Sequence, residues 1–206
     1  MYKLVIKPIL DFIVSLVAFI FLFPIFLLAT IAIKLEDGGP TFYTQVRTGK
    51  YGKNFKMYKF RSMKVETEVK GKRLTHDERV TKVGKFLRKT SIDELPQLLN
   101  VLKGQMSLIG PRAWIPEYYE NFTEEQKHRC DVLPGITGLA QARGRNGLTI
   151  FQKLAYDLEY SKNLNFLMDL RVVFETIVIV FKRDNAEIIQ EDIQNEINLL
   201  KEQKKR

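Results

Sequence analysis

The sequence predicts an α+β protein: an apolar N-terminal membrane helix followed by a small domain of short helices and a β-hairpin. Three observations carry that expectation. Residues 9–33 are almost entirely apolar, interrupted by Asp11, Ser15, Pro24 and Thr30. Residues 41–46 and 54–63 concentrate aromatic and β-branched side chains on either side of a Thr48-Gly49-Lys50-Tyr51-Gly52 turn, the composition of two paired short strands. Beyond residue 82, apolar residues recur at helical spacing in successive segments, which predicts amphipathic helices.

At about 25 residues, the apolar stretch exceeds the roughly 20 needed to cross a hydrocarbon core. A cleavable signal peptide does not fit. The run is too long for one, and no small-x-small site precedes Lys34-Leu35-Glu36-Asp37. Pro24 lies past the middle, where proline kinks or breaks a helix. Lys3 and Lys7 precede the stretch, and Lys34, Arg47 and Lys50 follow it, so charge gives no direction across a bilayer. A kinked span and a helix that enters, bends and returns both satisfy these features.

The chain of 206 residues carries 33 Lys and Arg against 24 Asp and Glu, a net charge of +9. That balance suits an anionic partner: nucleic acid, anionic lipid or a phosphorylated small molecule. A single cysteine, Cys130, excludes an internal disulfide framework and suits a reducing compartment. Followed by Asp131, it reads as a packed or idle thiol. His76 and His128 are too isolated for a zinc site and read as surface residues.

In the second arm of the hairpin, Lys56, Tyr58 and Phe60 share one face, and Met57, Lys59 and Arg61 the other. Residues 66–79 are polar and charged and read as an exposed loop. Val83, Phe86 and Leu87 form a stripe among Lys82, Lys85, Arg88 and Lys89. Such a stripe suits either a helix on an anionic membrane surface or a helix facing a core. Gly135, Gly138, Gly144 and Gly147 match neither a dinucleotide fingerprint nor a Walker A loop. They allow close backbone approach beside Gln141, Arg143, Arg145 and Asn146, a lining suited to a nucleotide diphosphate. A helix is expected over 149–162, carrying Asp157 and Tyr160. Over 165–183, Asp169, Arg171 and Glu175 break a long apolar content and argue for an interfacial or core helix, not a second span. In the tail, Ile189, Ile193, Ile197 and Leu200 fall at helical spacing, as in a helical arm or a weak oligomerisation seam.

The most informative stretch is residues 90–112, TSIDELPQLLNVLKGQMSLIGPR. Pro96 belongs in the first turn of a helix, so the adjacent Asp93 and Glu94 fall at or just before a helix N-terminus, with Gly104 as its stop. Lys85, Arg88 and Lys89 precede the acidic pair, and Lys103 and Arg112 follow it. Ser91 to Glu94 also reads as a capping box. Residues one apart on a helix point about 100° away from each other, so the two carboxylates can do different jobs.

Four separated motifs occur in one order: the proline-containing apolar N-terminus, YKFRSMK (58–64), LRKTSIDELPQLLNVLKGQMSLIGPR (87–112) and PGITGLAQARGRN (134–146). Together they closely resemble the bacterial sugar transferases that are small monotopic phosphoglycosyl transferases, over roughly residues 2–182. The resemblance implies a re-entrant membrane helix over 1–36, a cytoplasmic catalytic domain over 37–183 and a charged helical tail over 184–206. It implies transfer of a sugar-1-phosphate from a UDP-sugar to undecaprenyl phosphate with release of UMP, at the cytoplasmic face of the bacterial inner membrane. Asp93 would be the nucleophile of a covalent intermediate, and Glu94, with Asp93, would hold Mg²⁺. Arg88 and Arg112 would bind phosphate, Lys59 would line the site, and Gln141, Arg145 and Asp157 would contact the donor. Implied partners are the two substrates, inner-membrane lipid and downstream glycosyltransferases; a homodimer through the tail is the open alternative, and no nucleic acid is implied. The chain departs from the pattern at Gln105, where an acidic residue is usual, and at Ala113, where a second proline is common. The first is expected to be a surface change, and the second to loosen the turn presenting Arg112. From other classes, a membrane-tethered nucleic-acid-binding module suits the charge, and an inactive assembly scaffold would suit Ala113.

Overall fold

The computed structural model describes residues 1–65, 67–69, 72–144, 147–181 and 192–205. After a π-helical turn at Tyr2–Ile6, the apolar stretch forms one long helix, α1 (Lys7–Asp37), with Pro24 inside it and Gly38 closing it in the left-handed conformation. Its exposure is what sets it apart. Phe12, Phe21, Phe23 and Leu28 are each about half exposed or more, as a helix facing lipid leaves them.

Strands β1 (Phe42–Thr48) and β2 (Asn54–Phe60) form the expected hairpin, antiparallel in a register running from Phe42 opposite Phe60 to Thr48 opposite Asn54. The described residues within 66–79 are more structured than their polarity suggests. They contain the short ladder β3 (Glu68–Val69) with β4 (Lys72–Arg73), then α2 (His76–Arg79). Thr75 and Glu78 close a capping box that starts α2, a purely local device within a charged segment.

Helix α3 (Lys82–Thr90) begins at Thr81, whose hydroxyl accepts from Gly84 N–H. Its stripe divides: Leu87 packs with Phe26, Ala29, Ile33 and Phe60, while Phe86 points outward, 60% exposed. Helix α4 (Gln97–Leu102) starts at Pro96 and ends before Gly104, which is left-handed at φ +68°, as the sequence predicts. Strand β5 (Ser107–Ile109) precedes two short helices, α5 (Pro116–Glu120), which starts at its proline, and α6 (Glu124–Lys127), which starts at a Thr123–Gln126 capping box. It pairs in parallel with β6 (Gly135–Thr137), an element the sequence reading missed because each strand has only three residues. Helices α7 (Leu139–Gly144), α8 (Ile150–Lys162) and α9 (Phe166–Phe181) follow. The last described helix, α10 (Ile193–Lys205), folds back onto the body: Ile197 and Leu200 are buried against Trp114, Tyr118, Phe122, Ile150 and Leu154. Two residues of the expected tail seam, Ile197 and Leu200, are therefore used within the chain itself, while Ile193 is 44% exposed and Ile189 lies outside the described residues.

Both ends of α1 rest on this same body. Near its start, Lys7 Nζ lies 2.8 Å from Asp169 Oδ2 on α9, and Asp11 accepts hydrogen bonds from Ser107 Oγ (2.7 Å) and Leu108 N–H on β5. Near its end, Phe26 meets Phe60 edge to face at 5.2 Å between ring centres, and Asp37 pairs with Arg61. The charged residues Lys7, Asp11 and Asp37 of α1 are thus contact points, as expected where an unpaired charge would be costly.

Candidate active site

Asp93 and Glu94 sit in a single 3₁₀ turn, Ile92–Glu94, between α3 and α4. Ser91 does not cap this turn. It ends α3 in the left-handed conformation (φ +58°), and its side chain makes no capping hydrogen bond, which overturns the capping-box alternative. The reason is that Glu94 is engaged elsewhere: its Oε1 accepts from Lys59 Nζ at 2.6 Å across from β2. The strand alternation that puts Lys59 opposite Phe60 sends its ammonium to the acidic pair while Phe60 enters the core. Asn100 fixes the strand to the turn, accepting from Tyr58 N–H and donating to Lys56 O.

The turn opens on a cleft of about 1080 Å³, bordered by Lys59, Arg88, Asp93, Glu94, Arg112, Gln141 and Asp157. Every candidate residue that the structure describes therefore comes to one place; Arg145, and Asn146 beside it, lie outside the described residues. Thr176 of α9 and Phe42 also border the cleft, next to surfaces that expose Phe174, Ile177 and Tyr43. The cleft that holds the acidic pair thus opens beside exposed apolar residues.

The two carboxyls differ electrically. Burial, reinforced by the neighbouring Glu94 charge and only partly offset by Lys59 and Arg88, pushes Asp93 up to about 6. Burial also opposes ionisation of Glu94, but the Lys59 charge and hydrogen bond, helped by Arg112 and Arg47, hold its carboxyl below the usual range. One carboxylate is therefore committed to a cation, and the other is poised and poorly compensated. Among the described residues, no cluster of three or more His, Cys, Asp and Glu forms a metal cage. Two adjacent carboxylates facing a cleft fit instead a Mg²⁺ shared with substrate phosphates, since that ion keeps several waters and needs only one or two protein carboxylates.

Arg88 donates from Nε to Ser62 Oγ at 2.8 Å. Arg112 lies where β5 meets β6 and is anchored by its backbone: Arg129 Nη2 donates to its carbonyl at 2.7 Å, and the next carbonyl, that of Ala113, accepts from Arg47. Ala113 itself is buried with Met57, Val101 and Met106. Two arginines thus hold the carbonyls of Arg112 and Ala113, a support for this turn that its sequence does not show. Gln105 is also more than a surface change, as its Oε1 accepts from Asn100 Nδ2 at 2.9 Å.

The glycine cluster acts by close approach. A Cβ on Gly135 would lie 2.1 Å from Gly110 N, and one on Gly138 would lie 2.1 Å from Gly110 O. Only bare backbone lets β6 bring Gln141 beside Arg112. Gln141 Oε1 is buried without a hydrogen-bond partner among the described residues. Arg143 turns away from the cleft to Glu159 and Glu175, both at 3.3 Å.

Asp157, 1% exposed, is paired through Oδ2 with Arg129 Nη2 at 2.6 Å and Nε at 3.0 Å. Arg129 stacks 4.2 Å over the Trp114 ring. This pair braces Arg112 from behind. Sequence reasoning missed Arg129, Trp114 and Lys153, all close to the cleft, and no local pattern marks them. Burial pushes the Cys130 thiol up against the opposing Arg129 charge, as suits an idle thiol. His128 is exposed and bonded to Asp131.

The model of the family described as bacterial sugar transferase matches residues 2–183. The chain is 47% identical over 154 residues to the sugar transferase EpsL of Bacillus subtilis, covering 74% of this chain and 76% of that protein. It is 42% identical to the exopolysaccharide production protein PSS of Rhizobium leguminosarum bv. phaseoli, over 85% of this chain and 94% of that protein. It is 44% identical to the UDP-glucose:undecaprenyl-phosphate glucose-1-phosphate transferase of Klebsiella pneumoniae, over 89% of this chain but 42% of that longer protein. A match across the whole body that carries the acidic pair and its cations settles the family: this chain belongs to the bacterial sugar transferases.

Proposed function

We propose that the protein transfers a sugar-1-phosphate from a UDP-sugar to undecaprenyl phosphate, releasing UMP, as the first membrane step of a surface glycan pathway. The observation that carries this reading is the pairing of a partly compensated Asp93 with a Lys59-bound Glu94 in a cation-lined cleft beside exposed apolar residues. The relatives' names support it: one is a glucose-1-phosphate transferase acting with undecaprenyl phosphate, another an undecaprenyl-phosphate galactose phosphotransferase.

In this reading, an Asp93 oxygen attacks the sugar-bearing phosphorus. The bond to the bridging oxygen breaks, and UMP leaves with that oxygen and its electron pair. The lipid phosphate then attacks the same phosphorus, breaking the aspartyl–phosphorus bond and restoring the carboxylate. Splitting one difficult displacement into two is the gain of a covalent nucleophile. Several anions must converge, and Arg88, Arg112 and Lys59 surround the place where they meet. Glu94 and Asp93 would hold Mg²⁺, which when bound supplies charge neutralisation for the diphosphate. The buried Gln141 oxygen suits an N–H of the nucleotide base. Both ends of α1 rest on one body, which favours a helix that enters one leaflet and returns, with the body on the cytoplasmic face where nucleotide sugars are found. The lipid phosphate stays at the interface, so the site belongs at that depth.

The test is nucleotide release. Purified protein in nanodiscs, given Mg²⁺, undecaprenyl phosphate and a panel of UDP-sugars, should release UMP with a preferred donor. Chelator should stop it, and Asp93→Asn should lower it by at least about a thousandfold. Release of UDP in place of UMP would sink the role given to Asp93.

A further inference from the structure

Helix α10 lies beyond residue 183, where the family match ends, yet it reaches the wall of the cleft. Glu196 on α10 accepts from two groups on the body: Tyr118 OH through Oε2, and Lys153 Nζ through Oε1 at 3.1 Å. Lys153 borders the cleft one helical turn before Asp157, and Trp114, whose ring lies tilted 4.9 Å from the Tyr118 ring, borders it too. The docking is specific along the length of α10. Ile197 and Leu200 fill the cluster around Trp114, Gln203 bonds Gln126, and Lys204 donates to Glu120 O.

Resting on the donor-site reading above, we infer that Glu196 is a positioning residue of the donor pocket, holding Lys153 and the Trp114–Tyr118 wall in the arrangement that receives the UDP-sugar. The physical basis is twofold. Lys153 is 8% exposed, so its charge needs a fixed partner, and the geometry of that partner sets where its ammonium stands. Glu196 also neutralises that charge, so the wall at Lys153 is polar without adding a net cation to the arginines already there. The motifs that define the reaction lie outside α10. A segment outside them that shapes the pocket wall is a means of tuning donor recognition without touching the nucleophile.

Trp114 is the only tryptophan in the chain, so its fluorescence reports this wall directly. Full-length protein in nanodiscs, on an Asp93→Asn background that cannot form the covalent intermediate, is titrated with UDP-glucose and with UDP-galactose, so that binding is read without reaction. Glu196→Gln should raise the Kd of the tighter-binding sugar nucleotide at least threefold. Lys153→Met should do the same, the double variant should be no worse than Lys153→Met alone, and Glu196→Asp should recover most of the loss. With Asp93 in place, the KM for undecaprenyl phosphate should stay within twofold of wild type, which a merely unstable protein would not separate from the donor effect. If Glu196→Gln binds both sugar nucleotides as its Asp93→Asn parent does, with only its melting temperature lowered, Glu196 is a structural tie and the inference fails. If the parent binds neither, the donor-site reading fails first and this inference with it.

Discussion

Asp93 is held in a costly state. A carboxyl whose folded value is about 6, against an ordinary 3.8, binds its proton more tightly in the folded than in the unfolded chain. Below about pH 3 both states are protonated and there is no difference. Between about 4 and 6, stability falls as pH rises, and at neutral pH the ionised group is a net cost of about 1–3 kcal/mol, reduced by the solvent that reaches the cleft. Asp93→Asn, measured with chelator present, should therefore melt higher than wild type by about 3–8 °C at pH 7 and match it near about pH 3. A variant that melts lower at pH 7 would mean that Lys59 and Arg88 already compensate the charge. At this scale the acidic pair was legible in the sequence because its neighbours are local: Pro96, the turn and the flanking cations lie within a few residues. Arg129, Lys153 and Glu196 were not. Their partners are 28 and 43 residues away, and such pairings exist only once the body has folded.

Elements were legible where their signals are local. The hairpin, Pro96 starting α4 and the helix from about residue 149 each follow from a turn, a proline or helical spacing. The three-residue β5 and β6 were not, because so short a ladder is decided by the Gly110–Gly135 contact. The attachment of α1 lies between these cases: Lys7, Asp11 and Asp169 stand out as charges in apolar surroundings, but their mutual pairing does not. Lys7 Nζ serves both carboxylates, at 2.8 Å from Asp169 and 3.7 Å from Asp11, while Tyr2 and Tyr160 also donate to Asp169. Lys7→Met would leave two buried carboxylates without their lysine, a loss of about 3–5 kcal/mol. In detergent its melting temperature should fall by roughly 10 °C. Asp169→Asn should fall less, since Lys7 keeps Asp11 and a tyrosine can still donate to the amide oxygen. Equal losses in the two variants would count against this ordering.

The whole molecule is a polar body carrying a belt of exposed apolar residues, with Phe21 and Leu28 on α1, Phe86 on α3, and Leu167 and Phe174 on α9. Laid straight, the 31 residues of α1 would run about 46 Å, longer than the hydrocarbon core is thick. A span would therefore carry one end out on the far side, away from the body. Yet Lys7 and Asp11 at one end and Phe26 to Asp37 at the other are tied to that body. Pro24, lacking an N–H and crowding the preceding turn, lies between these two sets of contacts, where a bend would bring the chain back. This can be measured because the only native cysteine, Cys130, is buried, so an introduced thiol reports alone. In sealed vesicles of one orientation, Lys3→Cys and Leu35→Cys should react with a membrane-impermeant maleimide from the same side. Phe21→Cys, 78% exposed on the protein itself, should be shielded by lipid and become reactive in urea and detergent. Labelling of the two end positions from opposite sides would make α1 a true span. It would then require the Lys7–Asp169 or the Asp37–Arg61 contact to open in the membrane, since one body cannot hold both ends across a bilayer.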